Sequence, residues 1–120
     1  MAAPSLNERQ FSPVKAVEGG EADERTVFCY TEYPDGMLWG VFTGGAVRRG
    51  YLIGTRAGDT LNFRYVQLNT SGETASGHCV STVVELPDGR LRLEETWAWE
   101  SKPGQGTSVA EELPPDPPTP

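Results

Sequence analysis

Glu95 stands in the run Leu91-Arg92-Leu93-Glu94-Glu95-Thr96-Trp97-Ala98-Trp99. If that run is a strand, alternation puts Leu91, Leu93, Glu95, Trp97 and Trp99 on one face. A carboxyl then sits between a leucine and two tryptophans. Burying a lone carboxylate is costly unless it is paired or protonated, so the arrangement suits a general acid or an anchor for a polar or cationic ligand. The same alternation in neighbouring runs adds Tyr30, Phe63, Tyr65, Gln67 and Ser81 to the interior. Trp39 joins them as a ring wall, although its run carries apolar residues on both faces. The plainer reading puts Glu95 at a barrel mouth, partly wet and bonded to Tyr65 or an arginine. Glu111 is a candidate partner, facing Glu95 on an adjacent strand and sharing a proton with it.

Other chemistry is poorly provided for. The single histidine, His78, is flanked by Gly77 and Cys79, and the second cysteine, Cys29, is far off in sequence, which is no zinc spacing. Ser81 with His78 makes no triad, because odd and even positions on a strand point to opposite faces. There is no Walker loop and no dinucleotide-binding glycine turn. The residues therefore assign no catalytic group, no metal and no cofactor, and an enzyme is not the favoured reading.

The elements that must position these residues are short. Turn signals recur at Gly19-Gly20, Pro34-Asp35-Gly36, Gly44-Gly45, Ala57-Gly58-Asp59, Thr70-Ser71-Gly72, Pro87-Asp88-Gly89 and Pro103-Gly104-Gln105-Gly106. Between them lie β-prone runs at 11–17, 26–33, 37–43, 47–55, 61–69, 74–86, 90–99 and 107–113. No segment shows a helical stripe. Consecutive hairpins favour an all-β, up-and-down antiparallel meander of about eight strands, and closure into a barrel removes both exposed edges. The rival is an open, twisted meander that dimerises through an edge. Residues 1–8 read as a flexible lead, 9–113 as the domain, and 114–120, with five prolines, as a disordered tail.

The formal charge of -7 argues against nucleic acid as a partner, since a phosphate backbone demands a basic surface. The first ten residues hold no apolar run, and no span approaches the ~20 apolar residues that cross a membrane, so a cytoplasmic location is expected. Cys29 and Cys79 are expected as free thiols in that compartment.

The segments Gly44 to Gly54, Phe63 to Asn69, Ser76 to Ser81, Leu86 to Leu91 and Glu94 to Trp99 resemble a family of small uncharacterised bacterial proteins. Some members are labelled N-acetylglutamate synthase. The residues do not support that label, because such a synthase requires a mixed α/β acetyltransferase domain with a pyrophosphate-binding turn. The family is similar to avidin-like and lipocalin-like barrels, which hold small molecules inside an eight-strand meander. Their early Gly-x-Trp has its nearest match in Gly36-Met37-Leu38-Trp39, one residue longer, so no binding residue is carried over.

Two functions are expected from this reading. The first is a small-ligand-binding module lined by Tyr30, Trp39, Phe63, Tyr65, Gln67, Ser81, Glu95 and Trp97, with a cavity of about 300 Å3 or more. The alternative is a non-enzymatic interaction domain with a solid core, a homodimer through an outer apolar face of Leu38, Phe42, Val66 and Leu68.

Overall fold

The computed structural model describes residues 3–114. Eight antiparallel strands follow one another round a closed barrel: β1 (Gln10–Pro13), β2 (Val27–Glu32), β3 (Met37–Gly44), β4 (Val47–Ala57), β5 (Thr60–Asn69), β6 (Thr74–Glu85), β7 (Leu91–Trp99) and β8 (Gln105–Glu112). No helix occurs among the described residues. Each strand pairs with the next in sequence. The ring shuts where β1 meets β8 through Phe11↔Glu112, Ser12↔Glu111 and Pro13↔Ala110, so the open meander is not the form adopted. Pro13 has no N–H to give a ladder, and β1 stops there rather than running on to Val17.

Alternation sends one face of every strand inward. The base of the barrel holds the aliphatic part of the core, with Leu38, Leu61, Leu91 and Leu93 fully buried. Residues 3–8, the described part of the lead, pack against this base. Leu6 is fully buried, the Ala3 amide donates to Asp59 Oδ1 at 2.7 Å, and the Leu6 amide donates to Glu32 Oε1 at 2.9 Å. Arg56 clamps the segment. Its guanidinium donates to the carbonyls of Ala3, Pro4 and Gly58 and forms ion pairs with Glu32 at 3.0 Å and Asp59 at 3.3 Å. A leucine to bury and backbone groups to satisfy hold these residues there. The expected tail lies outside the described residues beyond Pro114.

The other end is the mouth, and the connection between β1 and β2 lies across it. Ser12 Oγ ties down the far side of this connection by donating to the Glu24 and Thr26 carbonyls. Cys29 is exposed and Cys79 is buried, both as free thiols.

Candidate functional site

The polar centre of the interior is made by register. Ser81 on β6 pairs with Glu95 on β7, and Glu95 with Ser108 on β8, so three neighbouring strands turn the three side chains inward together. Ser108 Oγ donates to Glu95 Oε1 at 3.1 Å, and Ser81 Oγ donates to Oε2 at 3.2 Å. The Cys79 thiol makes a weaker contact with Oε2 at 3.9 Å. Burial pushes the Glu95 carboxyl up to about 7, and the three hydrogen bonds offset only part of that rise. The same burial, with Glu95 as a nearby negative charge, raises the phenols of Tyr30 and Tyr65 and the Cys79 thiol.

Towards the mouth the wall turns aromatic. Trp97 and Trp99 meet edge to face at 5.7 Å, and Tyr65 meets Trp99 in the same way at 5.7 Å. Phe28 stacks on Phe42 at 4.5 Å. Two glycines admit these rings: a Cβ on Gly77 would overlap the Tyr65 hydroxyl, and one on Gly50 would overlap the Phe42 ring. The β1–β2 connection covers part of the mouth. Glu21 accepts from Gln67 Nε2 and Asn69 Nδ2, both at 2.7 Å, and the Gly19 carbonyl accepts from Trp99 Nε1 at 3.1 Å. What remains is a cavity of about 70 Å3, walled by Phe63, Tyr65, Gln67, Cys79, Glu95, Trp97, Trp99 and Ser108 and covered by Val17, Gly20 and Glu21. It is smaller than the expected 300 Å3 because rings fold down onto glycines and the connection dips into the mouth.

A closed eight-strand meander with a polar centre and an aromatic mouth is thus in place. A family model described as avidin-like protein matches residues 4–113. The chain belongs to the avidin-like family. No curated protein and no solved structure matches it significantly.

In this avidin-like barrel, seven of the eight expected lining residues face inward. Phe63, Tyr65, Gln67, Glu95 and Trp97 border the cavity directly. Tyr30 is buried against Phe11, edge to face at 5.4 Å, and Ser81 acts on the cavity through Glu95. Trp39 is the exception. It lies on the outer surface, 37% exposed, because β3 turns Leu38, Gly40 and Phe42 inward. Both faces of β3 are apolar, so alternation could not choose between them. The hole above Gly50 that Phe42 fills decides the matter. The expected outer face is corrected by the same fact: Leu38 and Phe42 are buried, whereas Val66 and Leu68 are exposed.

The Glu95–Glu111 pair does not form. β8 turns Ser108 and Ala110 inward, and Glu111 pairs across from Arg92. Ser108 was the residue missed, together with Trp99 and the covering residues Val17 and Glu21. Trp99 was legible by alternation, but a cover folded from an irregular connection leaves no periodic signal. Trp97 Nε1 is buried without a hydrogen-bond partner among the described residues. Among those residues no group of three or more His, Cys, Asp or Glu is placed to hold a metal.

Proposed function

We propose that the chain is a small-ligand-binding module whose site is the cavity beside Glu95. The observation that carries this reading is a half-buried carboxyl in the barrel interior, oriented by two hydroxyls, facing space and, among the described residues, no counter-ion. A core of this size gains nothing from such a group, since an apolar side chain would pack there without the desolvation penalty. The unpaired indole N–H of Trp97 adds a donor that a ligand acceptor could satisfy. Glu21 holds the cover by hydrogen bonds to Gln67 and Asn69, so access runs through displacement of the β1–β2 connection. The ligand in this reading is a cytoplasmic metabolite.

A thermal-shift screen of the whole protein against a metabolite library tests the proposal. A ligand present at 100 times its dissociation constant adds about 2.7 kcal/mol to stability. The expected result is a hit that Glu95→Gln weakens and that Glu21→Ala, which loosens the cover, binds faster. A blank screen on both wild type and Glu21→Ala would overturn the reading.

A further inference from the structure

The charged side chains in the cavity wall are all of one sign. Its wall contains two carboxylates, Glu95 and Glu21, and no lysine, arginine or histidine. The groups facing Glu95 from each packed element are Tyr30 on β2, Tyr65 on β5, Cys79 and Ser81 on β6, and Ser108 on β8. None of these is a cation. The remainder of the wall is ring surface, from Phe42, Phe63, Tyr65, Trp97 and Trp99. Aromatic faces carry negative charge and attract cations, most strongly where water is excluded. The Lys102 ammonium lies 4.6 Å from the Trp99 ring centre, and Lys15 lines an outer groove that Glu95 also borders, but neither is part of this cavity's wall.

We propose that the cavity takes a small organic cation, an alkylammonium whose head group pairs with the Glu95 carboxylate inside the aromatic wall. This rests on the ligand-binding reading above and narrows it. An anion would meet two carboxyl groups of the same sign, whereas a cation is the ligand that pairs with Glu95 in its ionised form. Size narrows the class further. At roughly 10–15 Å3 for each water-sized occupant, 70 Å3 admits about five such units. That suits a ligand of about five non-hydrogen atoms in the space the cover leaves.

The pH dependence follows from the pair. An alkylammonium stays protonated up to about pH 10, as lysine does, so Glu95 sets the titration. Its carboxyl, raised to about 7 when empty, must ionise to bind. Affinity then falls about tenfold for each pH unit below 7 and levels off above it.

Three probes share one chain length: n-butylammonium, n-butanol and butyrate. Calorimetry and thermal shift at pH 6 and pH 8 on the whole protein compare them. The expected result is binding of butylammonium alone, about tenfold tighter at pH 8, with at least a tenfold loss in Glu95→Gln. Because that variant alters the core, a carbon-13 titration of the Glu95 carboxyl in the wild type provides an independent reading. Bound butylammonium should lower its midpoint. Butanol binding as well as butylammonium, or a carboxyl midpoint that butylammonium leaves unmoved, would overturn the cation class. A neutral hit in the metabolite screen with no butylammonium binding would overturn the class while leaving the binding module standing. Silence in both experiments would overturn both.

Discussion

Among the described residues, two serine hydroxyls and a thiol are the polar contacts that reach the Glu95 carboxyl, and no guanidinium or ammonium joins them. The consequence for stability has the opposite sign from that of an ordinary surface carboxylate. Its folded value of about 7 lies above the usual 4.5, so the folded state holds a proton that the unfolded state has released between those values. The stabilising contribution is fully present below about pH 4.5 and is lost as pH rises through about 7. Urea unfolding of the wild type from pH 5 to pH 8 should therefore show a decline of about 2–3 kcal/mol attributable to this group. Glu95→Gln should flatten that decline and be more stable than wild type at pH 8. A variant as pH-dependent as the wild type would show that Glu95 is not the titrating group. Alternation around Leu93 and Trp97 was enough to place this residue inside. Its hydroxyl partners were not legible in full, because the register of β8 relative to β7 decides which serine arrives.

At the scale of elements, the strands were the easy part and the connections the difficult one. Glycine, proline and aspartate mark the turns, and β-branched and aromatic runs lie between them, so seven of the strands begin and end within a few residues of where composition puts them. The first strand and the segments on either side of it are different. Residues 3–8 and the β1–β2 connection are irregular, and long-range hydrogen bonds hold each in place against the two ends of the barrel. Arg56 is the central group at the base, its side chain 7% exposed and bonded to five partners. Arg56→Ala leaves Glu32 partly buried without its cation, and removing one partner of such a pair destabilises by about 3–5 kcal/mol. Denaturant unfolding should show a loss of that size, and hydrogen exchange should show the Leu6 amide losing its protection. A loss below about 1 kcal/mol would mean that the lead is held by the burial of Leu6 alone.

For the whole molecule, closure is the defining event. Phe11 pairs with Glu112 across nearly the full length of the domain. All other strand pairs are between sequence neighbours, so the barrel can grow hairpin by hairpin, but β1 and β8 must meet last or pay the full loop entropy early. Stopped-flow refolding should accordingly run in the millisecond-to-second range typical of non-local β-topologies. Ser12→Pro removes a backbone donor from β1 and the hydroxyl that anchors Glu24 and Thr26. It should speed unfolding and leave the folding rate nearly unchanged, as expected for contacts absent from the transition state. An equal fall in the folding rate would place closure in the nucleus instead.

Read by itself, the sequence determined the all-β class, the number of strands, the up-and-down order and the inward carboxyl among rings. Each of these is written locally, in a period of two and in turn residues whose backbone preferences need no distant partner. The tertiary structure alone decided four things: that Trp39 faces out, that Ser108 rather than Glu111 meets Glu95, that the lead seals the base, and that a cover shrinks the cavity. Each depends on a neighbour remote in sequence. Phe42 needs the hole at Gly50, Ser108 needs the register of β7, Leu6 needs Arg56 and its carboxylates, and Glu21 needs Gln67 and Asn69. Side-chain periodicity within a strand names two faces, and only packing across strands chooses which of them is inside.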